Sequence, residues 1–120
     1  MKFRNILLSG VLILTFLNAC VKNDVSKHVP SHIIKKEQMA EILADMQLAD
    51  AGVTNEGLNQ DSAMILRARF YYAILDKHDV TNEKFKESMD FYMTKPVLLQ
   101  EVYDKVNEII NTLQGNKMED

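Results

Sequence analysis

The stretch PVLLQEVYDKVNEIINTL, residues 96–113, decides the fold. Its apolar residues Leu99, Val102, Val106, Ile109 and Leu113 recur at alternating steps of three and four, and Tyr103 and Ile110 widen the same face. That spacing predicts an amphipathic helix, because residues three and four apart share one side of a 3.6-residue turn. Glu101, Asp104 and Glu108 fall on the opposite side, expected in water. Pro96 stands where the first helical turn accepts a residue without an N–H, and Gly115 is the expected stop.

Upstream the same period recurs. In KEQMAEILADMQLADA, residues 36–51, Met39, Ile42, Leu43, Met46 and Ala49 form one apolar stripe, with Gly52 and the polar residues 54–57 expected to end the helix. A second helix is expected over 61–77, with Asn59 or Asp61 as its N-cap. It carries two stripes: Met64, Ala68, Tyr72 and Leu75 on one side, and Leu66, Phe70 and Ala73 on the other. A helix apolar on nearly all sides is central in its fold or meets a partner. Thr81 then caps a third helix, with Val80 and Phe85 placed as a hydrophobic staple. That helix should bury Phe85, Met89 and Tyr92. No strand-like alternation and no internal repeat occurs. The expected class is all-α, a small bundle of about four helices over residues 35–115, with 116–120 as a tail.

The N-terminus reads differently. Lys2 and Arg4 precede an apolar run from Ile6 to Leu17, which ends at Leu17-Asn18-Ala19-Cys20. The run is shorter than the roughly 20 residues a spanning helix needs, and it has the three-part form of an export signal. Leu17-Asn18-Ala19-Cys20 resembles the bacterial lipobox, with Asn18 bulkier than the usual small residue. The resemblance implies diacylglycerol on the Cys20 sulfur, cleavage between Ala19 and Cys20, and acylation of the new amine. Cys20 is the only cysteine in the chain, so an internal disulfide and a CxxC metal pair are both excluded. The plainer alternative is an ordinary secretory signal with a chance cysteine. Residues 1–19 are thus expected to be removed, and residues 20–34, with Pro30 and no periodicity, to form a lipidated tether. Val21, in place of the Asp that retains lipoproteins in the inner membrane, favours the outer membrane. The periplasmic face is expected, although Lys22-Asn23-Asp24 partly matches a surface-export signal.

Without residues 1–19 the chain has 12 Lys and Arg against 17 Asp and Glu. That acidic balance argues against nucleic acid as a partner, even with Arg67 and Arg69 beside Phe70-Tyr71-Tyr72.

Ile42-Leu43-Ala44-Asp45-Met46-Gln47-Leu48-Ala49-Asp50-Ala51 is similar to the first motif of a small Bacteroidota lipoprotein family, domain of unknown function 4296. Tyr72, Ile74-Leu75, Lys77-His78, Val80-Thr81, Phe85, Ser88, Tyr92, Pro96, Leu99, Tyr103, Val106 and Leu113 look like its second half, so the resemblance covers roughly residues 33–113. In that pattern His often stands at Gln47 and Gly at Asp79, so no role of that His carries over. The resemblance implies an outer-membrane lipoprotein with a small helical domain, and no chemistry.

Candidate polar residues are few. Asp45 and Asp50 lie five apart, about 140° around a helix, so they cannot act together on one atom. Asp50 aligns with the apolar stripe and is expected to accept hydrogen bonds from a loop, an Arg or His78; Asp45 lies at the flank. His78 ends the second helix, where a cationic ring meets the helix dipole favourably. His28 and His32 have the four-residue spacing of a helical metal pair, but Pro30 between them and the lack of further ligands favour solvated residues. No phosphate loop, nucleophile elbow or triad order is present.

The expected protein is a lipid-anchored, non-catalytic envelope module without cofactor or metal. It binds another envelope protein, as an accessory or assembly subunit, through Leu66, Phe70 and Ala73. The alternative is a small ligand- or glycan-binding lipoprotein with a pocket lined by Met46, Tyr71, Tyr72 and Tyr103. The anchor has a direct test. Cys20→Ser should leave the protein soluble or unprocessed; recovery from membranes at mature size with unchanged detergent partitioning would refute the lipid.

Overall fold

The computed structural model describes residues 28–116. The expected export signal at 1–19, Cys20, the first part of the expected tether and the tail from 117 lie outside the described residues. The described chain forms four helices, α1 (Lys36–Asn55), α2 (Gln60–Lys77), α3 (Asn82–Met93) and α4 (Pro96–Asn116), and no strand. It is a small all-α bundle, as the periodicity predicts. No described helix is long and apolar enough to cross a membrane.

Helix α1 is the centre of the bundle, with α4 packed on one side of it and α2 on another. Its buried arc is wider than the predicted stripe: Ala40 and Ala44 are buried beside Met39, Ile42 and Leu43. Alanines count little in a hydrophobic pattern, but on a helix flank they let a neighbouring backbone approach closely. The helix also runs one turn further than predicted, through Gly52 to Asn55. Val53, in that extra turn, is buried, which stabilises it by roughly 1.5–3 kcal/mol and offsets the roughly 1 kcal/mol cost of a helical glycine. The stop is Gly57, at φ +63°, the left-handed conformation that ends helices without a Cβ clash.

Helix α2 departs most from expectation. Asn59 is its N-cap, with its side chain accepting the Ser62 N–H at 3.0 Å. Of the stripe Met64, Ala68, Tyr72 and Leu75, only Leu75 is buried, and the inward positions are instead Ala63, Ile74 and Leu75, with Tyr71 and Leu66 half-buried. The helix is peripheral, not central. α1 covers one side, α3 meets it only near the connecting turn, and α4 does not reach it. The stripe predicted to face the core therefore faces solvent along Met64, Ala68 and Tyr72.

The α2–α3 corner is a Schellman turn. Val80 N–H donates to the Leu75 carbonyl and Asp79 N–H to that of Asp76, both at 3.0 Å. Asp79 takes the left-handed position at φ +53°, which Asp tolerates better than most side chains other than Gly. Val80 and Leu75, the apolar pair this turn brings together, are both buried. Thr81 caps α3 by accepting the Lys84 N–H at 3.2 Å, and the Val80–Phe85 staple is buried as predicted. In α4, Leu98, Val102 and Val106 are buried; Leu98 was not expected, while Leu113 is exposed. Gly115 does not stop the helix, which runs through Asn116.

The packed domain starts earlier than periodicity indicates. Ile33 and Ile34, expected in the tether, belong to the core. A buried residue before a helix must find partners for its backbone groups, and for Ile34 both come from α3. Its N–H donates to Ser88 Oγ at 2.9 Å, and its carbonyl accepts from Tyr92 Oη at 2.8 Å. Ser88 and Tyr92 are themselves buried, one turn apart. Ser88→Ala should cost about 1–3 kcal/mol in urea melts, because a buried donor loses its acceptor. Glu87→Ala, at the exposed neighbour, should stay within about 0.5 kcal/mol. Equal effects would show that this clasp does not fix α3.

Candidate functional site

The most connected polar cluster joins α1 to the α2–α3 corner. Asp45 Oδ2 accepts from Lys77 Nζ and from His78 Nε2, each at 2.8 Å. An ionised carboxylate only accepts, so its partner assigns the proton to Nε2. From the other side, Gln38 Nε2 donates to the His78 carbonyl at 3.0 Å. Partial burial pushes the Asp45 carboxyl up. The hydrogen bonds from Lys77 and His78, with their charges, outweigh it and hold the group below its ordinary value of 3.8. The cluster is a clamp, with both corner residues tied to α1 by one carboxylate.

Asp50 and Asp45 exchange the positions predicted for them. Asp50 is exposed and Asp45 half-buried. Asp50 does accept from an arginine, Arg67 Nε, but not from His78; Arg67 also reaches Thr54 Oγ1 at 3.3 Å. The structure thus brings Asp45 and His78 together and leaves Asp50 in a separate ion pair between α1 and α2. Sequence reasoning missed Gln38 and Lys77. Neither has a local signal, since each acquires its partner only when α2 folds back along α1.

Beside the Asp50–Arg67 pair is a cleft of about 140 Å³, lined by Met46, Ala49, Phe70, Tyr71 and Ile74. Two residues of the predicted pocket, Met46 and Tyr71, are in it. The other two are not: Tyr72 lies on the outer side of α2 and Tyr103 on α4, both exposed. Tyr71 Oη donates to Asn82 Oδ1 at 2.8 Å, and its ring meets Phe85 edge-on at 5.8 Å, so it is held by the fold. His28 and His32 are apart from this region; His32 lies 3.8 Å from Glu87, and both side chains are exposed. Among the described residues no three His, Cys, Asp or Glu side chains converge to hold a metal ion.

The remaining feature is apolar. Leu66 is half-buried, Ala73 is exposed, and Phe70, at the rim of the cleft, is 39% exposed. Three α2 residues are more open, Met64 at 64%, Ile65 at 54% and Tyr72 at 61%. At 100° per residue Ile65 and Tyr72 point within about 20° of each other, so they share one outward face, with Ala68 and Met64 along its border.

A family model described as a domain of unknown function (DUF4296) matches residues 30–116, and the chain belongs to that family. No curated protein and no solved structure matches it. The match begins beside Ile33 and Ile34, where packing begins.

The clamp gives a pH dependence with a definite sign. A carboxyl whose folded value is depressed contributes stability that is complete above its unfolded value, and that is lost as pH falls through the folded value. Unfolding followed from neutral pH into the acid range should show this loss below the ordinary 3.8, and Asp45→Asn should flatten it. An unchanged acid limb in Asp45→Asn would remove the carboxylate from this role.

Proposed function

We propose that the chain is a lipid-anchored, non-catalytic helical module of the cell envelope, tied to the outer membrane through Cys20, which binds another envelope protein. The uncovered face of α2 carries this reading: Met64, Ile65 and Tyr72 are each more than half exposed on a helix that the bundle covers from one side. Single exposed apolar residues are ordinary, whereas large ones gathered on one face mark interaction surfaces. Phe70 and Leu66 lie on the other side of the helix, Phe70 at the rim of the cleft beside Arg67.

The cleft that holds Met46 and Tyr71 of the expected ligand pocket is small. Small-molecule sites commonly enclose about 300–1,000 Å³, and the apolar cleft beside α2 has about 140 Å³. That is room for one inserted side chain of a partner rather than for a sugar chain. The lipobox supports the location: the only cysteine falls where lipid attachment requires it.

The double substitution Ile65→Ser with Tyr72→Ser tests the surface. Both side chains already face water, so the melting of the domain should shift by no more than about 0.5 kcal/mol per site. Crosslinking in native membranes followed by mass spectrometry should lose a partner that the unsubstituted protein captures. Unchanged crosslinks, or a large loss of stability, would refute α2 as the contact.

A further inference from the structure

Cys20 and the packed domain are close in the chain. Nine residues lead from Cys20 to Val29, which packs against the core. Fully extended, they span about 30 Å at most. The domain is therefore held with one end near whatever surface carries the lipid. That end is where residues 28–35 lead into α1, beside the α3–α4 turn: Tyr92 bonds Ile34, and Leu98 and Glu101 line one cleft with His28, Val29 and Lys35.

Charge is divided along the chain in the same sense. Residues 20–36 hold four Lys against one Asp, while 37–120 hold eight Lys and Arg against 16 Asp and Glu. Lys36 is engaged by Glu101 at 2.7 Å. Lys35 is exposed and Lys95, in the α3–α4 turn, half-buried. The same turn also presents two apolar side chains to water, Met93 at 63% exposure and Val97 at 66%. Basic residues with protruding apolar ones suit the headgroup region of an anionic bilayer, and the acidic remainder of the domain is repelled by it.

We propose that this end of the bundle, marked by Lys35, Met93, Lys95 and Val97, rests on the anionic phospholipid surface to which Cys20 is tied. The inference rests on the lipid-anchor reading above. It also sets an orientation. Helix α1 has 20 residues, about 30 Å at 1.5 Å per residue, so the α1–α2 loop and the Met64–Ile65 end of α2 point away from the bilayer.

The mature lipidated protein can report this, because its Cys20 sulfur is blocked and an added cysteine is labelled alone. A fluorophore on Val97→Cys or on Leu58→Cys, in the α1–α2 loop, is reconstituted into vesicles of phosphatidylethanolamine and phosphatidylglycerol containing headgroup spin-labelled lipid. Quenching should be several-fold stronger at position 97 than at 58. The excess should vanish in phosphatidylcholine vesicles and at high salt, and fall in Lys35→Glu. That change lies just before α1, where a carboxylate suits the helix dipole, so folding is retained. Equal quenching at the two positions in a lipidated chain overturns the orientation alone, and an excess that persists in phosphatidylcholine overturns the anionic surface. An unmodified Cys20 in the intact mass overturns this inference together with the lipid anchor.

Discussion

The two hydrogen bonds that α3 makes to the backbone of Ile34 are the constraint on which the arrangement depends. Ile34 is buried just before α1 begins, so neither a helix ladder nor water can satisfy it. Ser88 and Tyr92 supply an acceptor and a donor one turn apart, and both are buried with it. Leaving either group of Ile34 unpaired would cost about 1–3 kcal/mol, against a total stability of about 5–15 kcal/mol for a typical domain. The clasp fixes where α3 lies, and the α3–α4 turn then delivers α4 along α1, where Lys36 meets Glu101. Burial also raises the Tyr92 hydroxyl above its ordinary value, with Glu37 adding to it, so Tyr92 remains a donor.

Features whose physics is local were legible in the sequence. The α4 stripe, the Thr81 cap, the Val80–Phe85 staple and the Asn59 cap each depend on residues within a turn or two. What was not legible depends on which neighbour arrives. The pattern of α2 is apolar on two sides, and nothing in the pattern says that α4 stops short of it. Ile33 and Ile34 read as tether because a short buried segment that closes a turn has no period. Asp45 and Asp50 exchanged places for a related reason: a position on a stripe predicts burial only where another helix covers that part of it. Gly52 misled because an exposed glycine ends a helix only when nothing beyond it is worth burying, and Val53 is buried.

The polar groups in the clasp and the Asp45 clamp are occupied with structure. Tyr92 and Ser88 hold Ile34, and Asp45 holds Lys77 and His78. Hydrogen-bonded groups of this kind fix a corner at little net gain, because the same groups would be solvated in the unfolded chain. Their worth is that removing one partner strands the other. At His78 the structure adds no free chemical group: its ring is engaged by Asp45, and its backbone carbonyl by Gln38.

Two apolar regions of the described surface differ in character. At one end of the bundle Met93 and Val97 flank Lys95 in the α3–α4 turn, and Lys35 closes the basic segment 20–36 that leads into α1. On α2, Met64, Ile65 and Tyr72 occur on a helix face that also carries Arg69 and Asp76, charges of both signs. A bilayer selects for charge of one sign and tolerates variety in apolar shape, whereas a folded partner needs shape and mixed charges that can be paired one by one. By that criterion the two regions are not interchangeable. Under the proposed lipid anchor, the short chain between Cys20 and Val29 would put the first on the membrane side, with α1 separating the second from it by its own length. A protein partner on α2 would then be met beyond the headgroup layer, where shape and individual charge pairs can decide which partner it is.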